Sequence, residues 1–400
     1  MREHLPEPVR AAARGARRRV RRARRWLDRP DPMPVAPSPG TTSIRLLIGP
    51  ANFAGQGYEW ARAVETSLDD VTATAFMLGR DRLAFPADWV VDGRTWNNPW
   101  WQRQQTRDVL EGWTHVLSEA VKPVLGTRFG NDVSGEAKRM RRRGVSLALV
   151  AHGSDVRSPS RHAASYEWSP FKDAEDWDVL PKLQERVERH AKIYADHHAR
   201  GGAVFVTTPD LLDDLPFASW LPVVIEPEQW RTDAPLLERE RPRVLHVPSN
   251  PRMKGTTLVE PVLHRLHDEG LIEYVPLEGV EPGDMPGHIA DVDLVLDQVA
   301  LGAYGAMAVQ AMAAGRVVLV HVDPRNRARL PEDPPVADVT PDTLEAVLRG
   351  LVADREGARA LAARGTAYAD RWHDGRHSAA VLAPWLGAAE RPSEGAPAGS

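Results

Sequence analysis

Residues 293–315 read DLVLDQVALGAYGAMAVQAMAAG. DLVLDQ is a short apolar run suited to a buried strand, GAYG supplies a loop with Gly302 and Gly305, and an Ala-rich helix then runs to Gly315. RVVLVHVD (316–323) follows at once as a second strand. Strand, helix and strand in that order form a βαβ unit, whose strands must lie parallel.

The alternation extends upstream. RVLHVPSN (243–250) reads as a strand, TTLVEPVLHRLHDEG (256–270) as a helix and IEYVPLEGV (272–280) as a strand. An earlier series begins at RLLIGP (45–50), followed by helical GYEWARAVET and the strands VTATAFML, THVLSEA and VSLALVAHG, with SGEAKRMRRRG as a helix before the last. Residues 180–199 form an amphipathic helix with Leu180, Leu183, Val187, Ala191 and Tyr194 on one face, and AVFVTTP is the next strand. An acidic, proline-containing stretch near 226–242 separates the two series. Two series predict an α/β protein of two doubly wound, Rossmann-like domains. Ligands of such sheets bind beyond the carboxyl ends of the strands, so the expected site is a cleft between the domains. The predicted boundaries are 1–41 for a basic segment and Pro-rich linker, 42–238 and 239–370 for the two domains, 371–388 for a C-terminal helix crossing back to the first, and 389–400 for a disordered tail.

Of 400 residues, 42% are apolar and 26% charged, which is globular composition rather than disordered. The net charge of −4 conceals a split: residues 1–30 hold eleven Arg against three acids, a net of +8, leaving −12 for the remainder. In residues 9–27 a thin stripe of Val9, Ala13, Ala16, Val20, Ala23 and Leu27 recurs at helical spacing between arginines. Two readings stand: a helix held to an anionic membrane surface by its charge, or a solvated basic tail. With no cysteine, disulfides, thiolate metal sites and a cysteine nucleophile are excluded. No apolar run reaches the roughly 18 residues of a membrane span, and the basic segment lacks the apolar region of a secretory signal. A cytoplasmic protein, peripheral at the inner face of the membrane, is the expectation. The acidic body argues against nucleic acid as a partner.

The 293–315 window resembles the C-terminal signature of family 4 glycosyltransferases of the two-domain GT-B fold, in which a Glu-Gly-Phe-Gly-type loop precedes a Glu-Ala-Met-Ala helix. GAYG (302–305) aligns with the loop and QAMAAG (310–315) with the helix. VLHVPSNPRMKGT (244–256), GPANFAGQGYEWARA (49–63), AHGSDVR (151–157) and HDG (373–375) resemble further motifs in family order, so the likeness spans about 45 to 388. It implies a retaining, metal-independent transferase that takes a nucleotide-sugar donor and passes the sugar to a glycan or lipid-linked acceptor, with no bound cofactor. Lys254 and Arg252 would neutralise the donor diphosphate, and the Gly305 helix start would receive it; a solvated turn and a plain glycine turn are the bland readings. The family's two glutamates fall on Gly302 and Gln310. Gln310 retains an acceptor for the ribose, and Gly302 has no side chain. Asp297 either reaches the vacant space or simply holds a turn. The resemblance puts His152 at the donor sugar or the reacting region; the alternative is a hydrogen-bonded structural histidine. Gly55 and Gly57 would lie over the donor phosphates or the acceptor, unless they only serve a turn. Asp155 and Arg157 position an acceptor or cap the next helix.

Two features are discounted, and a third stays open. Asp291-Val292-Asp293 mimics the metal-binding Asp-x-Asp of the other glycosyltransferase fold but enters a strand, and His190, His197 and His198 read as a solvated helix face. The 13 Trp outnumber Tyr and Phe taken singly; adjacent Trp100 and Trp101 cannot both be buried by one helix face, leaving one for an acceptor or membrane. The competing functions are a GT-B scaffold that binds without transferring and a nucleotide-sugar epimerase.

Overall fold

The computed structural model describes residues 33–79, 85–172, 174 and 177–391. The basic segment 1–30 and residues 392–400 of the C-terminal tail lie outside them.

The first sheet has seven strands: β1 (Ile44–Gly49), β2 (Val71–Leu78), β3 (Trp89–Val91), β4 (His115–Glu119), β5 (Ser146–Ala151), β6 (Ala203–Val206) and β7 (Ser219–Trp220), in the spatial order 3-2-1-4-5-6-7. Every pairing is parallel, with Leu46 opposite both Ala73 and His115. The inner strands are largely apolar because both faces are covered. One face packs Trp96, Trp101, Val109, Met140 and Tyr194. The other packs Trp60 and Val64 of helix Gln56–Ser67 against Leu382 and Leu386 of the C-terminal helix Arg376–Leu386. Trp385 Nε1 also donates to Ser146 Oγ (2.9 Å), fixing that helix on the first domain.

The second sheet has five strands: β8 (Arg243–His246), β9 (Glu273–Pro276), β10 (Leu294–Leu296), β11 (Val317–Val320) and β12 (Ala337–Asp338), in the order 12-11-10-8-9 and again parallel. Helix Ala306–Ala313 joins β10 to β11 and buries Ala308, Val309, Ala311 and Met312, its small side chains allowing close approach of helix Arg355–Trp372. Strand order reverses between β1 and β4 in the first sheet and between β8 and β10 in the second. Those two switch points are where open α/β sheets bind ligands.

The structure places the tryptophans, Asp291 and Asp293, and corrects the reading of the helix histidines as a solvated face. The tryptophan-rich stretch folds as helix Pro99–Gly112, capped by Asn98 Oδ1, and puts Trp96, Trp101 and Trp113 in the core. Trp100 is half-buried, with the Arg103 guanidinium 5.8 Å from its ring centre. Of the three helix histidines only His198 is exposed, against Phe217; His190 Nδ1 reaches Asp155 O (2.9 Å) and His197 is half-buried. Asp293 is fully buried because it accepts from Leu237 N and Arg243 N, and Asp291 pairs with Arg239 and Arg243, so this Asp-x-Asp is a brace for β8. Among the described residues no cluster of His, Asp and Glu could hold a metal, and no helix is long and apolar enough to cross a membrane.

Candidate functional site

At the second switch point, Asn250 starts the short turn Pro251–Lys254 by accepting from Met253 N. The turn ends with Lys254 Nζ 2.6 Å from Oδ1 of Asp297, the residue after β10. The Asp297 carboxylate is fully buried, and its Oδ2 accepts Gly305 N at 2.6 Å. One acid thus joins the strand end, the lysine and the start of helix Ala306–Ala313. Asp297 holds this turn instead of reaching into the space beside Gly302. A Cβ on Gly305 would stand 3.3 Å from Asp297 Oδ2 and 3.5 Å from Lys254 Nζ, so glycine permits the close approach. Lys254 keeps 17% of its side-chain surface exposed, leaving ammonium hydrogens for an anion. Gln310, on the same helix, is half-buried, and its side chain has no hydrogen-bond partner among the described residues. Arg252 is not brought to this cluster: its guanidinium sits 5.0 Å from the ring centre of Trp177 of the first domain.

Gly302 adopts φ +68°, and a Cβ there would lie 2.8 Å from a ring carbon of Tyr166. The space beside it is therefore filled by a phenol from the first domain. Tyr166 donates to Asp213 Oδ2 (2.7 Å), accepts from Asn326 Nδ2 (3.1 Å) and stacks on His162 at 4.1 Å. Asn326 Nδ2 also donates to Gly302 O (2.9 Å), and Arg329 pairs with Asp213 at 2.6 Å. The carboxyl-end loops of the two sheets are locked together here. Burial, then the charge of Arg157, pushes His162 down to about 4, which keeps this packed ring neutral.

His373 of the HDG motif is another buried connector. Its Nδ1 lies 2.7 Å from Val223 O in the interdomain segment, and its Nε2 lies 3.1 Å from Tyr304 Oη in the GAYG loop. Burial lowers it to about 4.

At the first switch point β4 ends in Glu119, whose side chain is completely buried. Its Oε2 accepts Ala51 N (2.9 Å) and Asn52 N (2.7 Å) from the loop after β1; Oε1 lies 3.1 Å from His152 Nε2. His152 stands beyond β5 between Trp60, stacked at 5.6 Å, and the edge-on ring of Phe53 at 5.1 Å. Gly57 faces Asn52 and Glu119, whereas Gly55 starts helix Gln56–Ser67 against Phe85. Asp155 does not cap a helix: its Oδ1 accepts His152 N and Gly153 N, and its Oδ2 accepts from Tyr194. Arg157 is buried against Asp210 at 2.7 Å, and Ser158 caps the following helix.

The structure therefore joins Lys254, Asp297 and Gly305 in one half-site and His152 and Gly57 in another, with Glu119 and Tyr166 as residues the sequence reading missed. Glu119 carried a usable signal, an acid ending an apolar strand. Tyr166 carried none, since only the domain arrangement brings it to Gly302. The half-site of the second domain offers a fixed cation and a helix N-terminus, suited to an anion. That of the first domain offers an imidazole and an exposed aromatic ring, suited to a hydroxylated ligand.

No protein-family model and no curated protein matches the chain. Solved structures do. Anabaena HepE in complex with UDP and glucose aligns at 12% identity over 87% of this chain and 100% of that one, with a TM-score of 0.56. Sucrose-phosphate synthase from Thermosynechococcus elongatus aligns at 10% identity over 85% and 97%, TM-score 0.54. WaaG, a glycosyltransferase involved in lipopolysaccharide biosynthesis, aligns at 13% identity over 84% and 99%, TM-score 0.50. With its two facing parallel sheets, the chain has the GT-B fold.

Proposed function

We propose that this protein is a family 4-like glycosyltransferase that moves a sugar from a nucleotide-sugar donor to a cell-envelope or other glycan or lipid acceptor, with retention and without a metal. The observation that carries the reading is the Lys254–Asp297–Gly305 cluster at the second switch point. It sets a permanent cation beside the amides of a helix N-terminus, the arrangement a departing diphosphate requires. UDP and UDP-glucose in the HepE structures support a nucleotide-sugar as the donor.

In the reaction, the bond between anomeric carbon and phosphate oxygen breaks and the electron pair leaves with the nucleoside diphosphate. Lys254 and the first-turn amides of Ala306 and Met307 stabilise that charge. The acceptor oxygen bonds to the anomeric carbon on the vacated face, and its proton passes to the departing phosphate oxygen. Gln310 accepts from the ribose and His152 meets the sugar. Arg252, set on Trp177, borders the site from the domain seam. The basic segment 1–30 holds the enzyme to an anionic inner membrane surface, where lipid-linked acceptors lie.

A nucleotide-sugar panel tests this, read as thermal stabilisation and as nucleotide release with cell-envelope acceptors. Stabilisation plus release supports transfer; stabilisation with no turnover on any acceptor identifies a binding scaffold. No response to any donor overturns both. Deleting residues 1–30 is expected to abolish sedimentation with anionic vesicles while sparing donor binding; unchanged sedimentation removes the membrane role.

A further inference from the structure

The Glu119–His152 pair is unusual in how its polar atoms are satisfied. Oε2 of Glu119 is spent on Ala51 N and Asn52 N. Oε1 and His152 Nε2 are both buried, lie 3.1 Å apart, and lack an aligned hydrogen bond. Buried polar atoms are nearly always paired, so two that face one another without pairing call for a reason. The imidazole is held between Trp60 and Phe53 with its Nε2 turned to the carboxylate. His152 Nδ1 has no partner among the described residues. A carboxylate can only accept, so the nitrogen facing it carries the proton; in neutral imidazole the other nitrogen then keeps its lone pair.

We propose that Glu119 is the positioning residue of the first half-site, holding His152 as its Nε2–H tautomer so that Nδ1 accepts a hydroxyl of a bound sugar. Phe53, 41% exposed and edge-on to the imidazole, lies beside that acceptor, with the Lys122 ammonium 4.7 Å from its ring centre. A sugar ring satisfies both, with a hydroxyl for Nδ1 and C–H groups for the aromatic ring. Glu119 thereby does two things: it ties down the loop after β1 and sets His152 to accept a hydroxyl. This inference rests on the glycosyl-transfer reading above.

The test is a long-range ¹H–¹⁵N spectrum of the full chain, with the His152 signals identified by their loss in His152→Asn. The wild type is expected to show a bare Nδ1 and a protonated Nε2. Glu119→Gln, whose amide can donate to Nε2, is expected to reverse this. A wild type protonated on Nδ1, or a tautomer unchanged in Glu119→Gln, overturns the proposal. Should Glu119→Gln not fold, two substitutions at His152 decide, with UDP-glucose as donor probe. Asparagine can place an oxygen where Nδ1 stood and is expected to keep turnover within about fivefold; glutamine cannot, and is expected to lose roughly 10- to 100-fold. Equal losses overturn the assignment. A wild type that binds no nucleotide-sugar contradicts glycosyl transfer while leaving the tautomer result to stand or fall separately.

Discussion

Each sheet meets the domain seam with one buried acid beside the point where its strand order reverses. Glu119 does so in the first domain, where it binds two backbone amides of the loop after β1, and Asp297 in the second, where it binds the Gly305 amide of the loop after its own strand. They differ in the side chain each holds. Asp297 holds Lys254, a permanent cation at 2.6 Å; Glu119 faces His152, an imidazole that is neutral or charged with its surroundings. On the proposed reading, the same strand-end geometry serves an anion in one domain and a hydroxyl in the other. A single side chain sets which.

The largest effect that would break this comparison is expected at the seam. Gly302→Glu would restore the resemblance-implied carboxylate where Tyr166 already stands and φ is +68°. We expect a loss of roughly 2–4 kcal/mol in urea unfolding, from backbone strain plus overpacking. A variant as stable as wild type would show that the seam opens freely. Lys254→Ala comes next. It removes a charge-assisted contact to the diphosphate, so affinity for UDP-glucose measured by calorimetry should fall roughly 10- to 100-fold, about 1.4–2.8 kcal/mol. Unchanged affinity would end the assignment of the phosphate to this half.

A smaller effect separates the two halves by pH. Glu59, on the helix behind the first half-site, is pushed up to about 7 by burial and then by Glu226, against the pull of Arg62. The native protein holds this proton to a higher pH than the unfolded chain does. Stability is therefore lost as pH rises from the ordinary carboxylate range to about 7, and levels off above it. Glu59→Gln is expected to exceed wild-type stability on the order of 1–2 kcal/mol at pH 8 and to match it near pH 4. A gain of equal size at both pH values would refute the linkage. The smallest effect is at Gln310. Gln310→Glu should change nucleotide affinity by less than about threefold, because a half-buried amide and a carboxylate both accept from a ribose hydroxyl. A large gain in turnover would instead mark the native site as degenerate.

Much of this architecture was legible before any coordinates. β1, β2 and β5 are apolar runs ended by turn residues, and helix Leu180–His198 carries its buried Val187 and Tyr194 at helical spacing. Lys254, Asp297 and Gly305 were readable singly, because strand ends and glycine loops mark themselves in sequence. Their hydrogen bonds were not, since residues 43 and 8 positions apart meet only when the switch point forms. The edge strands β3, β7 and β12 escaped because two or three residues make no periodicity. Helix Pro99–Gly112 was hidden by a polar, tryptophan-rich composition that burial resolves only in three dimensions. Tyr166 against Gly302 belongs to the domain arrangement, a level at which local pattern is silent.

The division of labour between the half-sites is tested most directly by a crystal structure of the protein with the nucleotide diphosphate that stabilises it best. We expect the diphosphate within hydrogen-bonding distance of Lys254 Nζ and the Ala306–Met307 amides. A diphosphate seated on His152 and Glu119, with Lys254 still bound only to Asp297, would contradict it.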